Sequence, residues 1–317
     1  MLSAMAAQPS SKSPAFAPSP GRLGPKSTAS GAQHGGAVDG VRGARGAWVH
    51  GLGDLATGHA AVAQAGRAVF ALAVVGFGAH HLVAGGFATR GIPAWPLPGS
   101  ATAWALLVGA FLVVGGLSIL ADWRRRPFAL GLAALWSLVL LVVLAPRVVA
   151  NWRVAAVWTN PGKNLVFATG ALLVAACASA GSGALTQRAW TLARLVLGAF
   201  LVLCGVEHFV YTTFAAALVP RWIPGPTFCV LAAGVALIGC GLGLVVGGRA
   251  ARVAGLFAGA MIASWFLILH IPRALSAWSD PGEWSGVCES LAIAGIAWLV
   301  SGTNAALPSS LHTEVNS

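Results

Sequence analysis

Glu207 stands beside His208 inside an apolar stretch, and His81, His270 and Glu289 lie in other apolar stretches of the same chain. An ionisable side chain within a membrane span is costly to bury, so each marks a candidate site. A buried glutamate needs a cation, a hydrogen-bond donor or a proton. Neighbouring residues on a helix point about 100° apart, so the partner of Glu207 is expected on another helix. Arg273, in the run His270-Ile271-Pro272-Arg273, is the expected cation for Glu207 or Glu289. Tyr211, the single tyrosine, follows His208 by three residues on nearly the same face. Its hydroxyl suits an interface anchor or a contact to a quinone-like headgroup. The candidate polar membrane site is therefore His81, Glu207, His208, Tyr211, His270, Arg273 and Glu289, with no catalytic role assigned to any of them.

Three chemistries are open to such a set: a structural ion-pair clamp, a proton-coupled or quinone-linked site, and a ligand or transport path. Imidazoles also ligate haem and transition metals. Haem is disfavoured, because there is no C-x-x-C-H motif, and no metal centre is expected. The five cysteines form no C-x-x-C pair, so neither a disulfide framework nor a zinc site is expected. Nucleophile elbow, zincin, Walker and dinucleotide-binding motifs are missing.

The elements that position these residues must be membrane helices. The 317-residue chain is 57% hydrophobic and only 9% charged, with mean hydropathy +0.79. A soluble domain carries about 25% charged residues. Eight apolar stretches, at 67–88, 102–121, 128–146, 163–181, 193–217, 227–247, 251–271 and 286–302, have the length of spans. The net charge of +11 comes from basic residues scattered at the ends of these stretches, with no long basic face, which excludes nucleic acid as the partner. Ten basic residues flank one side, including Arg67, Arg124 to Arg126, Arg194 and Arg252. Six flank the other, including Arg147, Lys163 and Arg273. The positive-inside bias then predicts a multi-pass protein with both termini in the cytoplasm.

Residues 1–63 are rich in Ala, Gly, Ser and Pro and are expected to form a disordered tail; 305–317 form a short polar tail. Between them an internal repeat is visible. Residues 76–120 laid over 203–247 agree at 11 of 45 positions, among them Gly78 with Gly205, His81 with His208, Pro93 with Pro220 and Trp95 with Trp222. Pro146-Arg147 likewise matches Pro272-Arg273, where proline is expected to end the helix and arginine to reach lipid phosphate. Asn160-Pro161-Gly162 is set beside Asp280-Pro281-Gly282. The expected fold is an all-α polytopic bundle of about eight spans, in two parallel four-helix repeats at 64–185 and 186–304.

The run CGVEHFVYTTFAAALVPRWIP, a later helix ending WFLILHIPRA, and EWSGVCESLAIAGIAWLV resemble the DoxX-like family of integral membrane proteins. The resemblance covers about 193–302. Residues 67–181 look like a diverged copy, with GFGAHHLVAGGFATRGIPAWP at the matching place. The resemblance implies a four-span unit in a bacterial inner membrane. Some family members are similar to the membrane subunit of a thiosulfate:quinone oxidoreductase, and others are linked to oxidative-stress complexes. It therefore implies an accessory or quinone-interacting subunit of a redox system, with membrane lipid, a redox partner subunit or a quinone as partners. A small-molecule or ion transporter and a structural scaffold are the alternatives, and the oligomeric state is open. His80 stands where the second half has Glu207, and Leu144 where it has His270, so the polar layer is expected in the second half.

Overall fold

The computed structural model describes residues 58–87, 98–179 and 183–303 in full and the helical backbone of 35–57. The chain divides after Val49. The described part of the first unit is helical backbone from Gly35, and the second unit holds the bundle. Most of the expected tail and the loop carrying Pro93, Trp95 and Pro96 lie outside the described residues. The helix runs from Gly35, well ahead of the apolar stretch at 67.

The first repeat comprises α1 (Gly35–Ala84), α2 (Ala101–Leu120), α3 (Arg125–Leu138), a π segment (Val139–Leu144), α4 (Ala145–Asn151) and α5 (Thr159–Cys177). The second comprises α6 (Gly183–Val210), α7 (Thr212–Leu218), α8 (Pro226–Val246), α9 (Gly248–Trp265), a π segment (Phe266–His270), α10 (Ile271–Ser276) and α11 (Pro281–Thr303). No strand occurs among the described residues. Local sequence places the boundaries. The Ser100 hydroxyl accepts from the Ala103 amide and caps α2. Pro226 sits in the first turn of α8, where its missing N–H costs nothing. Gly99 and Gly225 enter α2 and α8 at φ +88° and +65°, a region glycine adopts without strain.

Pro146 and Pro272 do not end their helices, contrary to expectation. Each follows a π segment, and the helix continues to Asn151 or Ser276. Proline removes a donor and clashes with the carbonyl four residues back; a wider π turn takes up that mismatch.

Seven helices among the described residues are long and apolar enough to cross a membrane, so the protein is multi-pass. Eight spans were expected. The helix that falls short is α5, whose first turns carry Asn160, Lys163 and Asn164. Its position supplies the reason. α5 packs against α3 of its own repeat and α6 of the other, and it also touches α11. Facing protein on several sides, it can hold polar residues that lipid would not tolerate. α11 is the counterpart: its apolar stretch is 72% buried, against 28–39% for the other spans. It packs against α9 of its own repeat and reaches α1 through Gly66 and Gly295. Each repeat thus gives its last helix to the centre.

The repeat is visible in the contacts. A Cβ on Gly116 would meet the Ala71 carbonyl at 2.7 Å and Val75; one on Gly241 would meet the Gly198 carbonyl at 2.6 Å and Val202. Equivalence is therefore by 127 residues in α1 and α6 but by 125 in α2 and α8, two fewer than the ungapped alignment. In the last helices the offset is 126: Trp158 Nε1 donates to the Trp152 carbonyl at 2.9 Å, and Trp284 Nε1 to the Trp278 carbonyl at 3.0 Å. This replaces the matching of Asn160-Pro161-Gly162 with Asp280-Pro281-Gly282.

Candidate functional site

The first turns of α5 and α11 meet at one end of the bundle, around a cavity of about 260 Å³. Ala156, Thr159, Asn160 and Lys163 line one wall, and Gly282, Ser285 and Glu289 the other. Three pairs of these residues are separated by the same 126 positions: Ala156 with Gly282, Thr159 with Ser285, and Lys163 with Glu289. The cavity therefore sits on the pseudo-twofold axis between the repeats. Lys163 Nζ donates to Glu289 Oε2 at 2.7 Å across it. Thr159 Oγ1 donates to Glu207 Oε1 at 2.5 Å, which ties the α5 wall to α6.

The expected site residues separate into two groups. Glu289 lines the cavity, and Glu207 stands directly behind it. His270, on the π segment, lies over the bare face of Gly286, where its Nδ1 is 3.1 Å from the place a Cβ would occupy. Arg273 does not serve Glu207 or Glu289. It forms a two-pronged pair with Glu283, at 3.1 Å from Nε and 2.6 Å from Nη2. Glu283 is buried in the first turn of α11, ten residues further along the chain, and it takes the guanidinium before the cavity acids can.

His81 and His208 are not in the cavity. Each ring donates from Nδ1 to the carbonyl four residues back, Phe77 and Cys204, at 2.7 Å. Each histidine Cβ lies against a glycine of the neighbouring helix, Gly109 and Gly234. The His208 ring also stacks with Trp265 at 6.2 Å. These are packing histidines at the contacts of α1 with α2 and of α6 with α8. Tyr211 stands at the break between α6 and α7, outside the cavity lining. The His, Cys, Asp and Glu side chains of the described residues form no group of three placed to hold a metal.

Sequence reasoning missed Thr159, Asn160, Lys163, Ser285 and Glu283 as site residues. Lys163 had been counted as a flanking charge. The 126-residue offset that pairs Lys163 with Glu289 was the signal that could have found it.

The opposite end is basic. Asp122 pairs with Arg125 at 2.8 Å and lies 3.8 Å from Arg67. Arg125 donates to the Cys177 carbonyl at the end of α5. Arg194, the equivalent of Arg67, donates to the Leu244 and Val245 carbonyls at the end of α8. Cations are favourable at helix C-termini. All five cysteines are free.

The fold and the cavity define a polytopic α-helical membrane protein built from two four-helix units around an axial polar pocket. Residues 197–299 match the model of a family described as Domain of unknown function (DUF8561), a match that covers most of the second repeat. No curated protein and no solved structure matches the chain.

Proposed function

We propose that this is a DoxX-like protein of a bacterial inner membrane. In this reading it acts as an accessory, quinone-interacting subunit of a membrane redox system, with the axial cavity as the headgroup site. The observation that carries the reading is the cavity itself, in which two walls face each other with a hydroxyl on each and the Lys163–Glu289 pair between them. A quinone ring presents two carbonyl acceptors on opposite edges. Lys163 has ammonium protons beyond the one given to Glu289, and Asn160 offers an amide. The volume lies just below the about 300–1,000 Å³ of drug-sized sites, which suits a headgroup whose tail remains in lipid. The cavity lies at the end with fewer arginines, which by the positive-inside bias supports an outer-face site with cytoplasmic termini.

The test is quinone extraction from the purified protein, with absorption spectra of its oxidised and reduced forms. Stoichiometric quinone, lost when Ala156 is replaced by Phe to fill the cavity, supports the reading. Quinone retained in Ala156→Phe would place it elsewhere.

Transport is the second reading. The two π segments favour it, because paired interruptions at corresponding positions of two repeats mark transporter sites. Uptake of a solute by liposomes holding the protein, without bound quinone, would favour it over the first.

A further inference from the structure

Thr159 faces two ways. It lines the axial cavity, and its hydroxyl donates to Glu207. Glu207 is not part of the lining; it stands behind the α5 wall on α6. The other wall is built differently. Ser285, at the equivalent position, donates to the Pro281 carbonyl of its own helix at 2.9 Å. One hydroxyl of the pair is therefore connected to a carboxyl group and the other is not.

A threonine hydroxyl carries one proton and two lone pairs. While Glu207 is ionised, that proton is committed to the carboxylate, and the cavity meets only lone pairs. Once Glu207 is protonated, its O–H donates to Thr159 and the threonine proton is free to turn into the cavity. The charge state of a group outside the cavity thus decides whether this wall donates or accepts.

We propose that Glu207 is the protonation switch of the axial cavity, turning Thr159 between acceptor and donor towards a carbonyl-bearing ligand. The proposal rests on the headgroup-site reading above. No covalent bond to hydrogen breaks on binding: protonated Glu207 keeps its proton and donates it to Thr159 Oγ1, and Thr159 keeps its own and donates it to the ligand carbonyl, with no electron moved. Glu207 is a positioning residue, because it reaches the ligand only through Thr159. Around it, Lys163 comes from α5 and Cys204 and His208 from α6 itself, and Lys163 is in turn paired with Glu289 of α11. α7 and α8 contain no Asp, Glu, Lys, Arg or His.

The experiment measures the Kd of a short-chain alkyl benzoquinone for the full-length protein in lipid nanodiscs across a pH series, by quenching of tryptophan fluorescence. Wild type is expected to bind more weakly as pH rises, approaching about tenfold per pH unit above the titration of Glu207. Glu207→Gln stays neutral, still donates to Thr159, and should bind without that slope. Thr159→Val should lose the slope and Thr159→Ser should keep it; this second pair decides the matter if Glu207→Gln does not fold. A slope persisting in both Glu207→Gln and Thr159→Val overturns the proposal, as does wild-type binding that ignores pH. Failure of wild type to bind the probe at any pH overturns the headgroup-site reading and the proposal with it.

Discussion

Lys163 and Glu289 occupy equivalent positions of the two repeats and pair with each other at 2.7 Å across the axis that relates them. Two identical units in this arrangement would set like charges face to face. Further along the same helices, Gly170 stands against its own equivalent, Ile296, whose Cδ1 lies 2.7 Å from where a Cβ on Gly170 would be. Charge and size are both complementary across the axis. The two halves have become a matched, unlike pair.

Reversing either charge alone should destabilise the bundle, and reversing both should restore it. The penalty for Lys163→Glu or Glu289→Lys falls below the about 3–5 kcal/mol of breaking a fully buried pair. The two side chains keep 16% and 27% exposure, which softens the loss. Thermal unfolding in detergent reads it. A double reversal no more stable than the singles would show that the pair does not hold the repeats together.

Glycines at the helix contacts should differ sharply from glycines that face lipid. A Cβ on Gly205 would meet the Gly234 carbonyl at 2.7 Å and the Ile238 amide at 3.0 Å, so Gly205→Val must push α6 from α8. Overpacking of this kind costs about 1–3 kcal/mol or more. Gly239, in the same α8 but exposed, has nothing within 4 Å. There Gly239→Ala should stabilise by about 0.5–1 kcal/mol, through the smaller loss of backbone entropy. Melting temperatures of the two variants should move in opposite directions.

Arg273→Lys should weaken the protein although the charge is kept. The guanidinium holds both oxygens of the buried Glu283, and an ammonium cannot reproduce that fork. Loss of one charged hydrogen bond amounts to about 1.5–3 kcal/mol. A melt within error of wild type would mean that a single contact suffices.

Filling the cavity should separate binding from folding. Ala156 is exposed at the cavity rim, so Ala156→Phe should leave the melting temperature near that of wild type. It should abolish binding of a short-chain benzoquinone. Retained binding would move the headgroup site away from the axis.

Much of the architecture was legible because it rests on local rules. Span length and apolarity appear in any window of the chain, and the repeat showed in matched His, Pro and Trp residues, whereas Pro146 and Pro272, expected to end helices, sit inside continuing ones. The site was only half legible. Glu207 and Glu289 stood out as acids in apolar surroundings; Glu289 lines the cavity and Glu207 stands behind its α5 wall, bonded to Thr159. His81 and His208 stood out for the same reason, but their ring protons go to their own helices.

Composition and pattern alone determined an all-α, multi-pass, duplicated membrane protein, because lipid demands long apolar helices and a repeat is a property of the string. Tertiary structure decided which helices lie inside and which charges meet. Lys163 reads as a flanking cation until α5 is seen packed against α3, α6 and α11, out of the position a lipid-facing span would take. Arg273 could have served any of three acids, and only the docking of α10 against α11 assigns it to Glu283. Pairing depends on how each helix is rotated and how far it is shifted along its neighbour, and those two quantities are set by packing between segments far apart in the chain.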